Sequence, residues 1–120
     1  MIEIKFIEIY FDLVNNLQLF HWKTKSYSDH IASDTTLKEL YKKIDELMES
    51  WIQNKKLKIE SNININIKKI SKNIIIKKLK KFKEFIKKME FPKESKYELN
   101  NIRDEIMGII DHSFFLLSLQ

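Results

Sequence analysis

The chain contains almost none of the residues that form tight turns or covalent cross-links. Its 120 residues include no cysteine, one glycine and one proline. The lack of cysteine excludes disulfide bonds and thiolate metal sites. The scarcity of glycine and proline leaves little material for the short turns that connect β-strands, and this favours helices.

Long apolar runs are also missing. The uninterrupted apolar stretches are far shorter than the roughly 20 residues that a membrane span needs. The first residues, MIEIKFIEIYFDLV, lack a basic segment followed by an apolar one and therefore do not resemble a secretion signal. We expect one cytoplasmic domain over residues 1–120 that does not interact with a membrane.

The net charge of +5 is unevenly distributed. Residues 54–96 carry 15 lysines and 4 glutamates, a net charge of +11, whereas residues 1–53 and 97–120 each carry −3. Such a block could bind the phosphates of a nucleic acid, although lysines often serve only to solvate one face of a helix. The lysines predicted to contact phosphate are Lys77, Lys78, Lys80, Lys81, Lys87 and Lys88.

Apolar residues recur every three or four positions in four segments, which is typical of amphipathic helices. The sequence SYSD at residues 26–29 separates the first two helices. The second could be capped by Ser28 or Asp29, or by Ser33 or Asp34. The third ends before Pro92, because the residue preceding proline disfavours helical geometry. The predicted helices span about residues 2–24, 29–53, 73–90 and 96–118.

A linker at residues 54–72 connects the second and third predicted helices. Within it, LKIESNININIKKI alternates isoleucine with polar residues, which predicts an extended linker or a strand with no evident partner. Four helices with one long crossover indicate an all-α four-helix bundle.

The sequence FHWKTKSYSDH, residues 20–30, places His21 and His30 on either side of the first break. Counting about 100° per residue from His30, the carboxylates of Asp34, Asp45 and Glu49 fall within about 100°, on the side of the apolar stripe. We therefore expect these groups to face an apolar interior, where they must be hydrogen-bonded, paired or metal-bound. Imidazole and carboxylate ligands without sulfur suit iron, manganese or zinc.

One helix cannot place all of these groups around a single ion. Eleven residues separate Asp34 from Asp45, which corresponds to about 16 Å along a helix axis. Either there are two sites, or the part of the second helix around His30 in one copy meets the part around Asp45 in another copy across a two-fold axis.

The same residues resemble those of Dps, the mini-ferritin branch of the ferritin-like proteins. The shared features are the HW pair, a short loop, a histidine, and then D, D and E at 4, 15 and 19 residues beyond that histidine. The resemblance covers about residues 10–53 and implies a ferritin-like bundle that oxidises Fe(II) at a ferroxidase centre between two subunits of a homo-oligomer. It implies that His21, His30 and Asp34 of one subunit and Asp45 and Glu49 of its two-fold mate bind the metal.

Two alternatives remain open. A metal site in the bundle interior could gather side chains from several helices; its ligands would be Glu8, Asp12, Asp104, Asp111 and His112. The chain could instead be a non-enzymatic structural or interaction protein with a vestigial metal site. It would then be part of a larger particle, or associate with nucleic acid through its lysine-rich segment.

Overall fold

The computed structural model describes residues 2–55, 59, 62–67, 69–91 and 96–119. These residues form four helices and no strand, which confirms the all-α prediction for the part of the chain described. Across those same ranges, no helix has both the length and the apolar character needed to cross a bilayer. The helices are α1 (Ile2–Lys23), α2 (Tyr27–Lys55), α3 (Lys72–Lys87) and α4 (Lys96–Ser118).

Neighbouring helices in the bundle run in opposite directions. Along the α2–α4 pair, Thr36 bonds to Ser113 whereas the later residue Ser50 bonds to the earlier residue Glu98. Along the α1–α3 pair, Asp12 meets Lys78 and the earlier residue Phe6 meets the later residue Phe82. The other packed pairs are α1–α2 and α3–α4. Helices α2 and α3 therefore lie on a diagonal of the bundle and run parallel.

The connection between α2 and α3 must travel the length of the bundle. The ion pair between Lys72 and Asp29 places the start of α3 beside the start of α2. Helix α2 has 29 residues, so it is about 43 Å long, and the intervening residues 56–71 can reach roughly 55 Å. Residues 62–67 adopt neither helix nor strand, as expected for a linker, whereas residues 56–58, 60, 61 and 68 lie outside the described part.

The apolar stripes predicted from the sequence form the core. On α3 the buried residues are Ile75, Leu79, Phe82 and Ile86, spaced by three or four residues. The lysines between them lie on the remaining faces of the helix. Ser71 caps the start of α3, where its side chain accepts a hydrogen bond from the backbone N–H of Ile74.

The start of α2 differs from the predicted caps. The helix begins at Tyr27, and the Ser26 hydroxyl accepts a hydrogen bond of 3.3 Å from the backbone N–H of Asp29. Ser26 is therefore the cap, and the proposed caps at Ser28, Asp29, Ser33 and Asp34 are wrong, because each of those residues lies within the helix.

Helix α3 ends three residues earlier than predicted, at Lys87. The Met89 carbonyl accepts a hydrogen bond of 2.6 Å from Arg103, so α4 supplies a partner for the chain where the helix stops. The turn buries Met89 and places the Phe91 ring 5.6 Å from that of Trp51. Pro92, which was expected to end the helix, lies outside the described residues.

Candidate metal centre

The hairpin between α1 and α2 brings the first two histidines into contact. Only Thr24, Lys25 and Ser26 separate the helices, so His21 in the last turn of α1 lies beside His30 in the first turn of α2. Their rings stack, with centroids 3.9 Å apart and planes inclined by 21°. The contact follows directly from the short loop.

Each imidazole is hydrogen-bonded to the backbone of the other histidine. His21 Nδ1 lies 3.0 Å from the His30 carbonyl oxygen, and His30 Nδ1 lies 3.1 Å from the His21 carbonyl oxygen. Because a carbonyl oxygen can only accept, both Nδ1 atoms must carry the proton. In the neutral rings, the two Nε2 atoms therefore keep their lone pairs. This is the form in which a histidine binds a metal.

The buried Ser33 hydroxyl fits the same proton arrangement. Its oxygen lies 3.0 Å from His21 Nδ1, 2.9 Å from the Asp29 carbonyl and 3.0 Å from the His30 carbonyl. Because His21 Nδ1 carries the proton, the Ser33 oxygen accepts from it, and the single hydroxyl proton goes to one of the two carbonyls. The sequence predicted Ser33 only as a helix cap. Its position three residues after His30, on the same helix face, was the available signal.

Asp34 lies next to the histidine pair and is partly exposed. Its carboxylate is 3.0 Å from the Lys38 ammonium group. The hydrogen bond from Lys38 lowers the pKa of Asp34, and the positive charge of Lys38 lowers it further. His21 and Asp34 also line the same open cleft between α1 and α2, of about 560 Å³. One chain therefore gathers two imidazoles and a carboxylate on one surface.

Asp45 and Glu49 lie further along α2 and are exposed. The structure does not bring them to the histidines of the same chain. Within the described ranges, no group of three or more histidine, aspartate and glutamate side chains could hold a metal ion. A complete site for the five predicted ligands would therefore require a second copy.

The sequence predicted that the carboxylates of α2 face an apolar interior. This prediction is wrong for the interior of their own bundle. The large buried apolar residues of α2 lie about 40–100° to one side of His30, whereas Asp34, Asp45 and Glu49 lie about 40–100° to the other. Around the helix axis, the acids and the buried apolar residues of α2 therefore lie on opposite sides of His30. These large buried apolar residues are Leu40, Ile44, Leu47 and Trp51.

The outer face of the α1–α2 hairpin carries large apolar side chains as well as these acids. Tyr41 is 70% exposed, and Phe11 and Ile52 are each 37% exposed. All three border an apolar groove of about 280 Å³ that Asp45 also lines. Contiguous exposed apolar surface commonly marks an interaction site.

The structure does not bring together the ligands proposed for an interior site. Asp12 pairs with Lys78 at 2.7 Å, and Asp111 pairs with Lys83 at 2.6 Å. The other members are dispersed: Asp104 lies 3.8 Å from Arg103, His112 stacks on Phe115, and Glu8 lines a groove between α1 and α3.

Five of the six lysines predicted to contact phosphate are exposed, four on α3 and Lys88 directly after it, whereas Lys78 is held by Asp12. Phosphate binding by the exposed lysines stays a prediction. They are Lys77, Lys80, Lys81, Lys87 and Lys88.

Tyr10 provides a pH-dependent test of packing between the two helices of the hairpin. Burial, together with the nearby Tyr41 and Asp45, raises the pKa of Tyr10 from 10.0 to about 12. Because the unfolded chain ionises near pH 10, the stabilising effect is complete below pH 10 and is lost between pH 10 and about 12. The free energy of unfolding should fall by at most about 3 kcal/mol. Urea titrations across this pH range measure the loss. Tyr10→Phe should remove this fall in the free energy of unfolding. If the variant loses stability with pH as the wild-type protein does, Tyr10 is not its cause.

Comparison with known proteins identifies one family. The family described as a family of unknown function (DUF5856) matches residues 21–117, a range that includes all five predicted metal ligands. No curated protein and no solved structure matches the chain.

Proposed function

Since this chain belongs to a family whose function is unknown (DUF5856), we propose its function from the geometry of the histidine pair. The protein binds Fe(II) at a site shared by two copies of the chain and oxidises it, as a Dps-like member of the ferritin-like proteins. The observation that carries the proposal is the reciprocal bonding of His21 and His30, which leaves both Nε2 atoms free to bind a metal.

The helix arrangement supports a ferritin-like assignment. Helices α2 and α3 are parallel and diagonal, and a long connection joins them across the bundle. Ferritin-like bundles have this kind of single long crossover. The arrangement alone does not imply iron chemistry, because one fold can support many functions. The proposal therefore depends on the site.

The positions of the ligands fit a two-fold axis. The midpoint in sequence between His30 and Glu49 falls between residues 39 and 40. The midpoint between Asp34 and Asp45 is the same. If two α2 helices cross antiparallel at that point, one rotation brings His30 close to Glu49 of the partner and Asp34 close to Asp45 of the partner. The same contact would cover the exposed Tyr41, which lies close to this midpoint.

The donor set suits the oxidation of iron. Two neutral imidazole nitrogens and three carboxylates bind Fe(II), and the carboxylates offset the additional positive charge of the Fe(III) product. Each Fe(II) loses one electron. One hydrogen peroxide takes two electrons and two protons and leaves as two waters; dioxygen is the other candidate oxidant. Manganese or zinc would fit the same ligands, but zinc has no redox chemistry.

Aerobic addition of Fe(II) to the purified protein tests the function. The near-ultraviolet absorbance of Fe(III) should develop faster than in buffer, and His30→Ala combined with Asp45→Ala should abolish the acceleration. The matched control combines His112→Ala with Asp104→Ala, which removes the same residue types from α4. Unchanged kinetics in the first variant would refute the proposal. Metal-free protein that binds DNA through its lysines would favour the non-enzymatic alternative.

Ser33 is expected to act as a positioning residue for this site. Ser33→Ala removes the hydroxyl that accepts from His21 Nδ1, and loss of such a support commonly weakens metal binding by about 10–100-fold. Titration with Co(II), followed by its visible absorbance, measures the affinity. Ser113→Ala is the control, because that buried serine pairs with Thr36 and not with a histidine. Equal losses of affinity in the two variants would indicate a general effect on folding.

A further inference from the structure

Three parts of the chain enclose a polar groove away from the histidine pair. Helix α1 forms one wall, the segment preceding α3 forms the second, and α3 forms the third. The groove has a volume of about 530 Å³, and none of its residues lines the cleft that contains His21. This volume lies within the range of about 300–1,000 Å³ found for small-molecule sites.

Positive charge enters the groove from all three walls. Lys5 comes from α1, Lys69 from the connecting segment and Lys81 from α3, and all three side chains are exposed. The fourth lysine, Lys78, is neutralised by Asp12 at 2.7 Å. The remaining carboxylate is that of Glu8, so the three exposed ammonium groups exceed the negative charge that faces them.

The connecting segment adds amide groups to the same groove. Asn64 and Asn66 both line it and are separated by one residue. An amide both donates and accepts hydrogen bonds, so it can bind the hydroxyl groups of a sugar or the edge of a base.

We propose that this groove binds a small organic phosphate with at least two negative charges, of the nucleoside diphosphate or triphosphate class. The lysines contact the phosphates by charge-assisted hydrogen bonds, and the asparagines contact the uncharged part of the ligand. Because walls enclose the groove on three sides, it admits a mononucleotide more readily than a duplex. This activity is separate from the proposed iron site and does not depend on it.

Calorimetric titration with ATP, pyrophosphate and adenosine, in buffer without divalent cations, tests the proposal. ATP should bind more tightly than pyrophosphate, and adenosine should bind weakly. Lys69→Gln combined with Lys81→Gln should weaken ATP binding by at least about tenfold. The control is Lys87→Gln combined with Lys88→Gln, which removes the same charge from exposed positions at the end of α3, outside the groove, and should change the affinity less than about twofold.

The asparagines provide a second, uncharged test. Asn64→Ala combined with Asn66→Ala should weaken binding of ATP but leave that of pyrophosphate unchanged. Equal losses in the two lysine variants, with a short DNA duplex affected in the same way, would show general attraction to the lysine-rich surface and overturn the proposal. So would the absence of binding of ATP and pyrophosphate by the wild-type protein. Iron oxidation by the same preparations shows whether the iron site is intact in each case.

Discussion

Mixing the His30→Ala and Asp45→Ala variants should restore iron oxidation that neither variant performs alone. In a two-fold dimer, each site takes its histidines from one copy and Asp45 from the other. A mixed dimer then contains one site with both substitutions and one site with neither. Random exchange of copies makes half of the dimers mixed, and half of the sites in those dimers carry no substitution. About a quarter of the wild-type number of active sites should therefore return.

The mixing experiment separates a shared site from a site within one chain. Activity is measured as the initial rate of Fe(III) absorbance, after the variants have been unfolded and refolded together. The control is a mixture of His30→Ala with His21→Ala, which should remain inactive because both substitutions affect the same half of the site. If the first mixture is as inactive as the control, the ligands do not come from two copies.

The sequence predicted the helices well because their apolar periodicity is strong. On α3, the stripe of Ile75, Leu79, Phe82 and Ile86 has the regular spacing of a buried helix face, and all four residues are buried. Helix ends were less predictable, because they depend on contacts with other helices. Arg103 of α4 bonds to the Met89 carbonyl just beyond the end of α3, and no local pattern indicates that contact.

The site illustrates a different limit. The close approach of His21 and His30 could be expected from the short loop, but their hydrogen bonds to each other's carbonyls depend on the exact turn. The direction of Asp45 and Glu49 was misjudged because the angles were measured from His30, which is itself exposed. On a helix whose apolar stripe is broad, residues at its edge can lie on the outer surface and still share the helical spacing of the core.

Replacing Phe6 with alanine should cost about 3–5 kcal/mol of the free energy of unfolding, the largest stability effect that we expect. The Phe6 ring is fully buried and contacts three other rings, at centroid distances of 5.9 Å to Trp51, 5.8 Å to Phe82 and 6.5 Å to Phe85. It therefore joins α1 to α2 and to α3. Since a domain of this size is stable by only about 5–15 kcal/mol, the variant should lose a large part of its free energy of unfolding.

Urea denaturation, followed by far-ultraviolet circular dichroism, measures the cost of Phe6→Ala. Phe115→Ala is the matched control, because that ring is 59% exposed on α4 and contacts His112 at a centroid distance of 6.3 Å. Phe115→Ala should lower the free energy of unfolding by no more than about 1 kcal/mol, since the Phe115 ring is largely hydrated in the folded chain. Similar costs for the two variants would mean that Phe6 does not join the three helices. In that case α1 would be held mainly by polar contacts such as the ion pair between Asp12 and Lys78.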